Sequence, residues 1–185
     1  MAEKERPKAR LASTYIRFFA LLYDLIILFC IEFVIFIPIT AIENYAGSVP
    51  AEIKSILVVT IAYAYFVGFW TKGGTTTGMR PWKLRVAMTA SGDAITLTAA
   101  SIRFFVMIIT WLAFSLMMIY LDALNKQDHE VYNMLVSALP SSALSIVFLV
   151  VAIIPAASLL GMIFSKNRQC LHDLAAGTSV YRLQD

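Results

Sequence analysis

Two side chains sit where the surrounding sequence has little tolerance for charge. Arg17 and Asp24, with Glu32 further along, interrupt the apolar stretch from Ile16 to Ile42. Seven helical residues turn through nearly two full circles, so both project from one face, about 10 Å apart along the axis. A charge at the centre of a membrane span costs about 2.5–3.5 kcal/mol on insertion scales, so it is kept off lipid and given a partner or water. Arg17 is close enough to the start of the stretch to extend its head to the interface, whereas Asp24 lies two turns deeper. A carboxylate there has the chemistry to carry a proton or coordinate a cation while partly desolvated. The alternative is a structural ion pair that locks helices together. Glu32, eight residues beyond Asp24 and about 80° off its face, points toward the far leaflet. Arg103, at the start of a later apolar run, is the natural counter-charge for Asp24 or for Asp173.

Two further segments are dense in reactive types. Gly73-Gly74-Thr75-Thr76-Thr77-Gly78-Met79-Arg80 superficially looks like a phosphate-binding loop, but that motif requires Lys-Ser/Thr after its last glycine, where Met79-Arg80 stands. The glycines of this loop (Gly74, Gly78) are read as tight turns that place Thr76 and Arg80 beneath the helices. Near the C-terminus comes Gln169-Cys170-Leu171-His172-Asp173-Leu174-Ala175-Ala176-Gly177-Thr178. Adjacent helical residues diverge by about 100°, so His172 and Asp173 are poorly placed to share one ion. Capping or loop pinning is the expected use. No HExxH, GxSxG or paired-aspartate signature occurs, so an enzyme is not expected.

The elements that must position these residues follow from composition. The chain has 185 residues, 59% hydrophobic and 15% charged, with a mean hydropathy of +0.75, against roughly 45–50% and about 25% in soluble domains. Disorder is excluded by the same numbers. At about 20 residues per crossing there is room for four or five spans and no separate soluble domain. The apolar runs predict four, at about 16–42, 53–71, 99–121 and 140–164, within a single membrane domain covering 1–185. The fold class is therefore all-α, a four-helix transmembrane bundle. Val131–Leu139 is either an interfacial helix or the first turns of the fourth span. Pro155 and the Ala157-x-x-x-Gly161 pair allow that span to bend and pack closely. Between spans two and three, alternation at Trp82, Leu84, Val86 and Met88 before Ser91-Gly92-Asp93 predicts a Gly/Thr-rich loop or short hairpin at the membrane surface.

Charge sets the expected orientation. Of 15 lysines and arginines, four lie in the tail 1–15, four between spans two and three (Lys72, Arg80, Lys83, Arg85) and three in the tail 165–185. Only Lys54 and Lys126 occupy the other loops. Both termini are thus expected on the cytoplasmic side of the plasma (bacterial inner) membrane. The net charge of +3 gives no reason to expect nucleic-acid binding. Cys30 and Cys170 fall in different environments, so no disulfide is expected, and neither a metal nor a cofactor.

Together these motifs resemble the RDD family of small membrane proteins, named for one arginine and two aspartates. Its arginine matches Arg17. Its first aspartate, in an R-x-x-A-x-x-x-D pattern, matches Asp24 with Ala20 between. Its second lies in H-D-x-x-A-G-T, which stands here as His172, Asp173, Ala176, Gly177 and Thr178. The family's G-x-T-x-G loop looks like Gly74, Thr76 and Gly78, and its next span-opening arginine looks like Arg103. Met79 and Lys83 depart from the family, which commonly has a basic residue and a glycine at those places. The resemblance implies a membrane fold and, at most, transport of an unspecified ligand.

The expected function is transport of an ion or small solute, with Asp24 as an intramembrane proton or cation site gated by Arg17, Arg103 or Asp173. Four spans make a thin wall, so a homo-oligomer is expected. The alternative is a non-transporting adaptor or assembly factor whose charges are structural and whose basic surface meets membrane lipids or a partner.

Overall fold

The structure, a computed structural model, describes residues 9–126, 141–166 and 168–184. They fall into two compact units, Met1–Phe104 with Ala176–Asp185, and Phe105–Ala175. In chain order the elements are strand β1 (Ala9–Leu11), helices α1 (Thr14–Ala46) and α2 (Ala51–Gly73), a 3-10 turn (Arg80–Trp82), β2 (Leu84–Met88), α3 (Leu97–Lys126), α4 (Ser141–Phe164), the short α5 (Leu171–Ala175) and β3 (Thr178–Leu183).

Three of the helices are long and apolar enough to cross a membrane: Thr14–Tyr45, Ala51–Gly73 and Leu97–Asp122, with mean hydropathies of 2.8, 1.7 and 2.3 in their most apolar windows. Of the fourth expected span, Leu149–Phe164 forms a shorter apolar helix within α4. Val131–Leu139 lies outside the described residues. In α1, Phe18, Phe29, Phe33 and Val34 are exposed, as suits side chains whose solvent is lipid. At 33 residues, α1 is about 50 Å long and outruns a hydrocarbon core of about 30 Å. Its far end turns into α2 through Glu43, whose Oε1 accepts from Lys54 Nζ at 2.9 Å and from the Val49 N–H at 2.8 Å.

α2 buries Ala62, Tyr65, Phe66, Val67 and Trp70, a helical stripe at spacings of three and four. Phe104, fully buried, meets Tyr63 edge to face at 5.3 Å and lies 6.4 Å from Phe66. α2 stops because Gly74 turns left-handed, φ 68°, and returns its N–H to the Trp70 carbonyl at 2.9 Å. A side chain at Gly74 would also meet the Val86 carbonyl at 2.5 Å.

The mostly helical expectation stands, but the loop or short hairpin expected between spans two and three is corrected by a three-stranded sheet. β2 does not pair within its own loop. The strand order is β1-β3-β2, antiparallel throughout, with Leu11 opposite Tyr181 and Val86 opposite Val180. Both terminal segments are thus structured within the described residues. The alternation correctly located a strand with a buried face, Leu84 and Val86, but alternation does not say which strand is the partner. After β2 the Gly92 N–H bonds the Met88 carbonyl at 2.8 Å, and the chain enters α3, where Thr96 accepts the Ala99 N–H on its hydroxyl at 3.2 Å. Both cysteines are free thiols, Cys30 exposed and Cys170 buried. Pro155 lies inside α4 without ending it. Gly161 is needed for a close approach to the Gln169 carbonyl, 2.8 Å from where a Cβ would sit.

Candidate functional site: a buried carboxylate under a Gly-Thr loop

Asp24 is 2% exposed, and its oxygens are fully engaged. Oδ1 accepts the Tyr65 hydroxyl at 2.6 Å and the Gly78 N–H at 2.7 Å, and Oδ2 accepts the Thr76 hydroxyl at 2.5 Å. All of these donors are uncharged, and no cation among the described residues pairs with Asp24. The expected ion pair between Asp24 and Arg17 or Arg103 is therefore corrected. Arg17, half-buried near the start of α1, donates to the Val180 carbonyl on β3 at 3.2 Å. Arg103, 4% exposed, donates to the Thr178 hydroxyl at 2.8 Å and lies over the Trp70 ring at 4.9 Å. The arginines bind backbone, hydroxyl and π-face, and neutral donors meet the carboxylate.

The motif spacings now have physical reasons. A Cβ at Gly78 would fall 2.5 Å from the Ala20 carbonyl and 2.7 Å from Asp24 Oδ1. Only glycine lets the loop backbone reach the helix there. Ala20, 1% exposed, sits one turn before Asp24 and keeps that approach low. Thr76 is fully buried. Its hydroxyl accepts the Met79 N–H at 3.3 Å while donating to Asp24, so the loop closes on itself and on α1 with one side chain. Thr76→Val keeps the shape and removes both bonds. It is expected to destabilise the protein by about 1.5–3 kcal/mol, the range for a hydrogen bond to a charge. Thermal unfolding in detergent should show this loss and a near-complete recovery in Thr76→Ser.

The remaining motif residues serve other places. Arg80 is exposed, with its guanidinium 5.8 Å from the Phe69 ring centroid. Gly177 has φ 62°, and its carbonyl accepts the Thr89 N–H at 2.9 Å. Thr178 is fully buried opposite Met88. Glu32 is half-buried on α1 and takes no part in the Asp24 hydrogen bonds.

Asp173 belongs to the other compact unit, 1% exposed. Its Oδ2 accepts the Cys170 N–H at 3.3 Å, capping α5, and its Oδ1 lies 3.9 Å from His172 Nε2. One ligand atom each from Cys170, His172 and Asp173 lies within 4.8 Å of the others. The two side-chain tips thus approach one another although adjacent helical positions diverge, while Asp173 reaches back to the start of α5.

Tyr65 is the site residue that sequence reasoning missed. Its only signal was a polar-tipped ring in an apolar helix, a role Tyr63 fills equally by bonding Ser101 at 2.8 Å.

Apolar helices of spanning length, with a carboxylate buried among them and roofed by a Gly-Thr loop, define an integral membrane protein. The sequence model of the RDD family matches residues 11–177, and the chain belongs to that family. No curated protein and no solved structure matches it.

Proposed function

We propose that this protein moves a proton or a small cation across the membrane, with Asp24 as the ion site. The observation that carries the reading is a buried carboxylate satisfied only by uncharged groups. A purely structural aspartate in a span is expected to face a basic partner, because the bonded dipoles leave a net charge in a medium of low dielectric. That charge is left for a proton or cation to neutralise.

The geometry distinguishes the two oxygens. Oδ1 is held by the Gly78 N–H, which can only donate. Oδ2 faces a hydroxyl, which can donate or accept. A proton arriving at Oδ2 is accommodated when the Thr76 hydroxyl turns from donor to acceptor, while the backbone contact to Oδ1 stays. For a cation, carboxylate and hydroxyl oxygens are hard ligands suited to a hard ion. Loading the site weakens the pull of Asp24 on the loop, which couples occupancy to the α1–loop contact. The reading is non-enzymatic. It places both termini on the cytoplasmic face of the plasma membrane, from the lysine and arginine bias. It also uses α4 as the fourth span and a homo-oligomer to seal the path.

The test is purified protein in liposomes, with pH-sensitive and potential-sensitive dyes reporting imposed sodium, potassium and proton gradients. The wild type is expected to give a cation-dependent signal, and Asp24→Asn to lose at least about tenfold of it, roughly 1.4 kcal/mol or more of transition-state free energy. Signals are compared at equal amounts of folded, inserted protein, because Asp24→Asn also weakens the bonds from Tyr65, Thr76 and Gly78. A wild type silent under all three gradients overturns the proposal.

A further inference from the structure

The sheet carries a second feature that the ion site does not use. Arg182 on β3 stands directly opposite Arg10 on β1, and on its other side opposite Leu84 of β2. Like charges facing across strands are destabilising. Beside them Lys83 adopts φ 53°, ψ 37°, a left-handed conformation that favours glycine. A lysine kept in a glycine conformation points to a use for its side chain.

Lys83 lies between two hollows. One, of about 410 Å³, is lined by Arg10, Lys83 and Arg182, and the other, of about 500 Å³, by Arg80, Lys83 and Arg85. No described residue lining either is an aspartate or glutamate. The Arg85 Nε is buried and has no hydrogen-bond partner among the described residues. Next to Lys83, Trp82 is 36% exposed and stacks on Phe19 of α1, centroids 6.2 Å apart. Exposed aromatic rings of this kind mark the boundary between hydrocarbon and water, so the cations lie at the depth of lipid head groups.

We propose that the Lys83 turn and its flanking arginines form a phosphate-binding site. Guanidinium forks grip a phosphate through paired N–H donors, and the lysine adds a point charge shared by both hollows. Occupancy relieves the repulsion between Arg10 and Arg182. The phosphate comes either from the head group of an anionic lipid or from a soluble phosphate, and the two sources are separable.

Lys83→Gly is the informative variant, because it suits the left-handed backbone and removes the cation. Full-length wild type and Lys83→Gly are compared in two arms, each read by thermal unfolding and by titration. In detergent the probe is inorganic phosphate. In nanodiscs the probe is phosphatidylglycerol mixed into phosphatidylcholine. A soluble source predicts stabilisation of the wild type by phosphate, and a lipid source predicts stabilisation by phosphatidylglycerol alone. In either case Lys83→Gly should fold at least as stably without the probe and bind it roughly fivefold more weakly, as expected for one basic residue at a charged surface. Arg182→Gln should weaken binding similarly while not lowering the probe-free midpoint. No stabilisation in either arm, or undiminished binding by Lys83→Gly, overturns the proposal.

Discussion

Gly78→Ala is expected to be among the most damaging single methyl additions in the protein. The new Cβ would lie 2.5 Å from the Ala20 carbonyl. That obstacle is backbone, so trimming Ala20 to glycine cannot relieve it. The loop must lift from α1, and in lifting it gives up the Gly78 and Thr76 bonds to Asp24. Overpacking alone costs about 1–3 kcal/mol, and each hydrogen bond to a charge adds about 1.5–3 kcal/mol. A loss of about 4–9 kcal/mol is expected, enough to abolish accumulation of folded protein. Thermal unfolding in detergent and membrane abundance measure it. The control is Gly68→Ala, where nothing lies within 4 Å of the added Cβ. It should be nearly neutral, and equal effects at both positions would refute the steric account.

The second large effect is expected at Arg103. Arg103→Leu removes the 2.8 Å bond to Thr178 and the stack over Trp70. A charged hydrogen bond contributes about 1.5–3 kcal/mol and a desolvated cation–π contact about 2 kcal/mol, so a loss of about 3–5 kcal/mol is expected. Arg103→Lys should recover only part of it. A lysine keeps the charge but not the planar fork that bonds a hydroxyl and lies on a ring together. A double-mutant cycle with Thr178→Val isolates the pairwise contribution. Coupling below about 0.5 kcal/mol would show that the contact between α3 and β3 is incidental. This role is separate from the ion site, so partly folded Arg103 variants should keep the ion preference of the wild type.

Much of the site was legible before any geometry. Asp24 stood out because a carboxylate in an apolar run is costly, and Thr76 and Gly78 because glycine-bounded threonines imply a tight backbone turn. The pairing of Asp24 with an arginine that charge alone suggested did not follow. Attraction between Asp24 and an arginine is a statement about sign, but hydrogen bonding depends on which donors the packing delivers. Gly78 delivers a backbone N–H, α2 delivers Tyr65, and the arginines are taken by β3 and Trp70.

The sheet was the least legible part. β1 has three residues, too few for periodicity to separate strand from loop, and the alternation that marked β2 could not name β3 as its partner, which lies far along the chain from both. By itself the sequence determined the membrane solvent, three of the four expected helical spans, the buried carboxylate and the need for glycine in the loop above it. All of these follow from transfer free energies and local sterics. Only the tertiary structure decided what touches Asp24, why residue 78 has no room for a methyl group, and how β3 from the C-terminal segment pairs with both β1 and β2. Those outcomes depend on which distant backbone groups arrive within hydrogen-bonding distance, and local sequence does not encode that.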